Sequence, residues 1–320
     1  TGEDGSILHS PKTNRRVARH YIPQFADASS WDVYEIESNL GRVTQLAVLE
    51  SASKATIGDV VEIGNGLVTG KDKAFRLDDT SNLNDEERAH LMEIMKAKQL
   101  QKYTHGDFTH YIWLNDAGIG CEDELLERFP NFHEQLSSYC RGGSALSGNQ
   151  KSLEDRYAYN REIKWWEWVF LRNKHWIEKY NEKIMCPCKE RYDNKGFVRF
   201  SLVRGNAMPL QDVTTLVPFE ETRETIEYIT AWLNSDAVYR WLVAKGHSRG
   251  GVLEFSERPL MRIPFKRIDF DNPDEVEIHD KITDKVRGAT TGEGRLDEKA
   301  LKTELEELIE TLIKEVTHDS

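Results

Sequence analysis

The chain is 320 residues long, 38% apolar and 10% aromatic, which is ample for a packed core and excludes a disordered or low-complexity protein. Its formal charge is −12 and its mean hydropathy −0.63. No run approaches the ~18 apolar residues of a spanning helix, so no membrane partner is expected.

In chain order, residues 1–55 hold short apolar pieces, Val33-Tyr34-Glu35-Ile36 and Gln45-Leu46-Ala47-Val48-Leu49, that read as strands or a linker. Thr1 is not a methionine and no signal-peptide order follows it, so a fragment or processed chain is expected. Residues 84–102 read as a helix started by Asn84 or Asp85, and Thr109 to Leu114 as a strand. A helix is predicted from Glu122 to Phe129, stopped by Pro130, and another from Asn131 to Arg141, ended by Gly142-Gly143. Arg161 to Lys183 is dense in aromatics, and Gly196 to Val203 alternates as a strand does. Thr222 to Ala244 reads as one helix. Leu301, Leu305, Leu308, Ile309, Leu312, Ile313 and Val316 mark an amphipathic closing helix. The pattern predicts an α+β fold: a mixed β-sheet with inserted helices and a helical C-terminus.

From Asp269 to Ser320 there are 16 acidic and seven basic residues, so most of the net acidity belongs to the tail. Basic residues cluster elsewhere, at Lys12, Arg15, Arg16 and Arg19 and at Arg240, Lys245, Arg249, Arg258, Arg262, Lys266 and Arg267. A locally basic face on an acidic protein is therefore open to it. Cys121, Cys140, Cys186 and Cys188 are too few for a disulfide scaffold, and Cys186-Pro-Cys188 has CxC rather than CxxC spacing. Reduced thiols in a cytoplasm are expected.

The stretch GNGLVTGKDKAF, residues 64–75, nearly matches a phosphate-binding loop but fails twice. Asn65 stands where the first glycine belongs, and Asp72 occupies the Ser/Thr position and would repel phosphates. What survives is three glycines that let the backbone approach a partner closely, with Thr69, Gly70, Lys71 and Lys73 as donors, against a plain turn with solvated lysines. Between Lys164 and Lys183, Trp165, Trp166, Trp168, Phe170 and Trp176 are interleaved with Arg172, Lys174, Lys179 and Lys183; they are core, or a surface that stacks on bases. GHSRGG, residues 246–251, is a glycine-rich loop that carries His247, Ser248 and Arg249. The histidines show no metal-ligand spacing. Asp274 with Asp297-Glu298-Lys299, or Asp155 with Glu162-Ile163-Lys164, has the spacing of a metal-dependent nuclease core, the alternative enzyme reading. A third alternative is an acidic protein-interaction domain.

The order of IGDVVEIGNGLVTGKDKAF (57–75), FPNFHEQLSSYCRG (129–142), CPCKERYDNKGFVRF (186–200), DVTTLVPF (212–219), ITAWLNSDAVYRWL (229–242) and SRGGVLEFSERPLMRIPF (248–265) resembles one family. It is similar to the C-terminal specificity domain of TaqI-like adenine-specific DNA methyltransferases and related type IIG restriction-modification enzymes, over roughly residues 55–270. The resemblance implies a DNA target-recognition domain over residues 56–275, preceded by a linker at 1–55 and followed by a helical segment at 276–320. It implies double-stranded DNA and an N-terminal methyltransferase domain as partners, with Thr69, Gly70, Lys71, Lys73, Arg172, Lys174, His247, Ser248 and Arg249 as DNA contacts. S-adenosylmethionine would belong to the parent enzyme, and no cofactor, metal or catalytic residue is expected in this chain. The sequence holds no Pro-Pro pair, so the family's catalytic [N/D/S]-P-P-[Y/F/W] loop has no counterpart; Asn272-Pro273-Asp274 is the nearest approach. The Leu/Ile stripe of residues 276–320 is expected to pack on the domain, its carboxylates turned away from DNA.

Overall fold

The computed structural model describes residues 45–148, 150–159, 161–192, 196–291 and 298–315. The expectations placed on Val33 to Ile36, on Lys12, Arg15, Arg16 and Arg19, and on Asp297 and Val316 lie outside the described residues. The chain divides into two units, Thr1–Val48 and Leu49–Ser320, and only residues 45–48 of the first are described.

Residues 45–52 are a helix, α1, where a strand or linker was expected. The buried residues Leu49 and Ala52 stand three apart, which is helical spacing rather than alternation. After β1 (Ala55–Thr56) come β2 (Val61–Asn65), the short α2 (Asp72–Phe75) and β3 (Arg76–Leu77). Helix α3 (Asp85–Ala89) begins where expected, in a capping box: the Asn84 side chain accepts from the Glu87 amide at 2.8 Å and Glu87 accepts from the Asn84 amide at 2.9 Å. It stops at Ala89, and the chain goes on as β4 (Leu91–Met95), not as the helix predicted to 102. The fully buried Ile94 and Met95 are claimed there by strand pairing with β5 (Thr109–Ile112), so tertiary packing overrides helix propensity. Helix α4 (Glu122–Arg128) ends before Pro130, and α5 (Pro130–Ser137) is shorter than the segment predicted to Arg141.

Next come α6 (Lys174–Ile177), β6 (Glu182–Pro187), β7 (Lys189–Arg191), β8 (Ser201–Arg204), β9 (Met208–Pro209) and β10 (Val213–Pro218). The predicted strand 196–203 is regular only from Ser201. The single helix predicted over 222–244 is two, α7 (Ile226–Asn234) and α8 (Asp236–Lys245). Ser235 breaks it: its backbone is extended, and its hydroxyl accepts from the Val238 amide as the cap of α8. The chain closes with β11 (Ser248–Arg249), β12 (Val252–Glu254), α9 (Glu257–Met261), β13 (Pro264–Phe265), α10 (Pro273–Thr290) and α11 (Glu298–Glu315).

The strands form an antiparallel sheet β2-β10-β6-β8, a sheet β3-β5-β4-β9 whose β4–β9 pair is parallel, a three-stranded sheet β11-β12-β7 and the pair β1-β13. The fold is α+β, as the sequence pattern predicted. The aromatic stretch belongs to its core: Trp166, Trp168 and Trp176 are buried, and Trp168 meets Phe75, Tyr111 and Trp113 edge-on at centroid distances of 6.2, 6.1 and 5.2 Å. Its indole donates to the Ile112 carbonyl at 2.9 Å, and Asn115 holds its backbone from both sides. The base-stacking reading is thereby corrected for Trp166, Trp168 and Trp176, because indoles locked in the core cannot meet a base; Trp165 and Phe170 are half-buried.

Leu301, Leu305, Ile309, Leu312 and Ile313 of α11 are buried, and α10 lies between α11 and α7. One acidic side chain of this segment turns inward. Glu306 accepts from the Asp236 amide at 2.7 Å at the start of α8, and burial, then the nearby Asp236 carboxylate, push its pKa up from 4.5 to about 7. The folded state therefore holds this proton where the unfolded chain has lost it. The associated stability is complete below about pH 4.5 and is lost as pH rises through 7. Glu306→Gln keeps the acceptor without the charge, so it is expected to stabilise the protein at pH 8 by about 1–2 kcal/mol and to do nothing at pH 4.5. Urea unfolding at the two pH values checks this.

Candidate nucleic-acid interface

The glycine-rich loop GHSRGG proves to be a hairpin. Helix α8 ends at Gly246, whose Cβ would lie 2.4 Å from the Leu242 carbonyl oxygen. Ser248–Arg249 then pairs with Val252–Glu254 through Gly250 and Gly251, at φ of 59° and 78°. Two consecutive left-handed residues are what the tightest hairpin turn requires, hence two glycines. Strand β12 also pairs with β7, placing Arg249, Val252 and Arg191 in one cross-strand row and Ser248, Leu253 and Glu190 in the next.

Paired residues share a face, and successive residues alternate. The inner face buries Leu253 and Glu190, the latter held by Arg199 at 2.7 Å. The outer face therefore presents Arg249, Val252 and Arg191 in one row and Lys189 and Glu254 in the other. His247 stands beside Glu254, whose amide bonds to its carbonyl, with the imidazole Nε2 3.6 Å from the Glu254 carboxylate. Arg249, Arg191 and Lys189 are all exposed. Burial is the main influence on Cys188, next to Lys189, and holds its thiol above the ordinary range; the Arg172 and Lys189 cations pull it back. Arg172 thus lies within electrostatic reach of the start of β7. It is exposed, at φ 38°, with Nη1 3.3 Å from the Gly66 carbonyl.

The other predicted contacts lie in and around GNGLVTGKDKAF, where the glycines serve the protein's own packing. A Cβ on Gly64 would lie 2.5 Å from the Trp176 ring, one on Gly66 2.0 Å from the Leu210 carbonyl oxygen, and one on Gly70 2.6 Å from Val169. Thr69 is fully buried, its hydroxyl donating to Asp72 at 2.7 Å and accepting from the Lys71 amide at 3.1 Å. Its expected role as an outward donor is corrected. Asp72, instead of repelling an anion, closes this turn and pairs with Lys96. Lys71 donates to the Lys151 carbonyl at 2.8 Å, and Lys174 pairs with Glu178 over the Trp113 ring. Gly70 and Lys73 are exposed.

Two groups escaped the sequence reading. Arg156 is largely buried and donates at 2.5–2.9 Å to the carbonyls of Leu153, Thr69, Glu167 and Trp165, with its guanidinium 5.1 Å from the Phe75 ring centre. It ties the glycine loop to the aromatic stretch. Burial pulls its pKa down to about 10, so it remains charged at neutral pH. Tyr157 and Tyr159 are 62% and 76% exposed, and Tyr159 stacks on Phe170 at 5.7 Å. The exposed rings of the 150–183 region are these, and Tyr-x-Tyr among polar residues was the available signal.

The late basic cluster is partly consumed internally: Lys245 pairs with Glu50, Lys266 with Glu275 and Arg267 with Glu224. Of the nuclease candidates, Asp155 is bound to Arg141 at 2.7 Å and to Ser152, which holds its pKa down at about 2. Lys164 donates to the Ile119 and Gly120 carbonyls. Among the described residues no group of three or more His, Cys, Asp or Glu is placed to hold a metal ion, and no helix is long and apolar enough to cross a membrane. The four cysteines are free thiols.

No family model matches the chain. It is 39% identical over 280 residues to Type II methyltransferase M.HindII of Haemophilus influenzae, covering 84% of this chain and 52% of that protein. To Type II methyltransferase M.HincII of the same species it is 40% identical over 270 residues, covering 84% and 50%. Type II methyltransferase M.MjaIV of Methanocaldococcus jannaschii is 31% identical over 206 residues, 63% of each chain. The chain thus spans about half the length of its Haemophilus relatives. Among solved structures, the Type IIL restriction-modification enzyme MmeI, determined in complex with DNA, aligns with a TM-score of 0.55 at 11% identity, over 83% of this chain and 34% of that one. That likeness is one of fold.

Proposed function

We propose that this chain is the DNA target-recognition part of a site-specific, S-adenosylmethionine-dependent DNA adenine methyltransferase of a restriction-modification system, acting in the cytoplasm. Residues 56–275 would form the recognition domain, residues 1–55 the approach from a methyltransferase domain, and residues 276–320 a helical segment. The relatives are named type II methyltransferases, and the fold neighbour is a restriction-modification enzyme solved with DNA. The observation that carries the reading is the outer face of β7-β12-β11, where Lys189, Arg191 and Arg249 stand exposed on a protein of net charge −12.

In this reading Arg249, at the hairpin tip, enters a groove, while Arg172, Lys73 and the Gly70 amide lie along the phosphates and His247 and Ser248 flank the tip. Thr69, Lys71 and Lys174 hold the loops in place. S-adenosylmethionine belongs to the methyltransferase domain. The glycine loop between β2 and α2 packs on Leu210, Val169 and Arg156.

Selection from random duplexes is expected to enrich a short motif bound by the chain with a negative slope of log K against log salt. Arg249→Ala should cost about 1–3 kcal/mol of discrimination at one base position while changing non-specific affinity little. Equal losses on every single-base variant would make Arg249 a phosphate contact. No enriched motif, with a flat salt response, would remove the reading itself.

A further inference from the structure

Where the C-terminal end of α8, the β11–β12 hairpin and α9 meet, a cavity of about 370 Å³ is lined by Trp241, Lys245, His247, Glu254, Arg258 and Arg262. Its size is that of a small-molecule site. Its charges do not cancel. Lys245 is neutralised by Glu50, at 2.6 and 2.7 Å, and Glu50 also accepts from the Trp241 indole at 2.9 Å. Glu254 faces His247 at 3.6 Å.

Arg258 and Arg262 remain. Both are exposed at the cavity, and neither makes an ion pair or side-chain hydrogen bond with another described residue. They stand four positions apart, Arg258 within α9 and Arg262 at its C-cap, so they share a side of that turn and repel each other. Two guanidiniums in one lining with a single carboxylate, Glu254, which faces His247, leave a net positive charge there on a chain with 55 acidic residues, a site for an anion. Its position says which anion. His247 lines the cavity and also stands beside Glu254 on the outer face of the three-stranded sheet, so the cavity mouth is continuous with the face that carries Arg249.

We propose that this cavity is a phosphate clamp: Arg258 and Arg262 together hold one backbone phosphodiester of the duplex whose bases the hairpin reads. The inference rests on the DNA-recognition reading above and adds a fixed anchor that sets the register of the hairpin in its groove. Arginine suits the task because its planar fork gives paired hydrogen bonds to two phosphate oxygens.

The test uses the duplex enriched by selection, its single-base variants and a set of cognate duplexes in which one phosphate at a time is replaced by neutral methylphosphonate. Arg258→Gln/Arg262→Gln is compared with the unaltered chain at several salt concentrations, thermal unfolding confirming that both are folded. The double variant should lose affinity by the same factor on all base variants, and its salt slope should be shallower by about one, the signature of a single phosphate. One methylphosphonate position should weaken the unaltered chain tenfold or more and leave the double variant unaffected.

A loss confined to the cognate sequence would make the arginines base contacts, and unchanged affinity would place the cavity outside the interface; either overturns the clamp while DNA recognition stands. Inorganic phosphate titrated without DNA supplies the other arm: binding that the duplex does not displace would assign the cavity to a free phosphate compound and overturn the clamp. If the unaltered chain binds no duplex, the DNA reading has failed first and the clamp falls with it.

Discussion

Arg156→Met is expected to destabilise the protein by about 3 kcal/mol or more, a large share of what holds a domain together. The methionine keeps much of the aliphatic stem and loses the guanidinium. Four carbonyls, of Leu153, Thr69, Glu167 and Trp165, then lose a charged donor where water has little access. Each unpaired buried acceptor costs roughly 1–3 kcal/mol, and the losses are less than additive because the loop can relax. Packing over Phe75 and against the would-be Cβ of Gly70 leaves little room for that relaxation. Arg156→Lys should recover only part of the loss, since one ammonium cannot address four carbonyls spread around a planar fork. Urea unfolding of the three proteins is the measurement. A methionine variant within about 0.5 kcal/mol of the parent would mean that water substitutes for the guanidinium, and that the loop is held by its backbone bonds alone.

The part of the fold visible in the sequence is the part fixed by local chemistry. The helix start at Asn84, the stop at Pro130 and the stripe of α11 all depend on residues within a few positions of one another, and each stands where it was read. The expected helix over 84–102 failed for the opposite reason. Leu91, Ile94 and Met95 satisfy a helical spacing, but the cross-strand partners that make them β4 are supplied by residues 109–112 and 208–209. The break at Ser235 was legible, because a serine between two apolar runs is a cap signal.

The candidate interface divides in the same way. Gly250-Gly251 between Ser-Arg and Val-Leu is a two-residue hairpin signal, so the presentation of Arg249 was open to reading. Which cations lack an ion-pair partner among the described residues was not. Lys245, Lys266 and Arg267 are indistinguishable from Arg249, Arg258 and Arg262 by composition, and only the fold brings Glu50, Glu275 and Glu224 to the first three. Arg156 was invisible as a structural hub because its acceptors are main-chain carbonyls, one of them 87 residues away.

Gly66→Ala decides what the glycine loop is for. The added methyl would sit 2.0 Å from the Leu210 carbonyl oxygen, 2.4 Å from its carbon and 2.7 Å from the Pro209 carbonyl carbon, all backbone. The segment cannot retreat freely, since the Gly66 amide donates to Val213 at 3.0 Å and the Leu67 amide to Pro209 at 2.9 Å. The expected cost is about 3 kcal/mol or more. Gly70→Ala should cost less, about 2 kcal/mol, arising from a φ of 79° and from contacts with the Val169 and Arg156 side chains rather than with backbone. Gly250→Ala, with φ 59° and nothing within 4 Å of the new methyl, should cost least. Thermal unfolding of the three variants orders them. A glycine kept for a ligand's approach would show the reverse, with Gly66→Ala folding as well as the parent and losing only its DNA. The predicted order therefore assigns Gly66 to the contact between the loop and Leu210, the residue that follows β9 and bridges to Leu67.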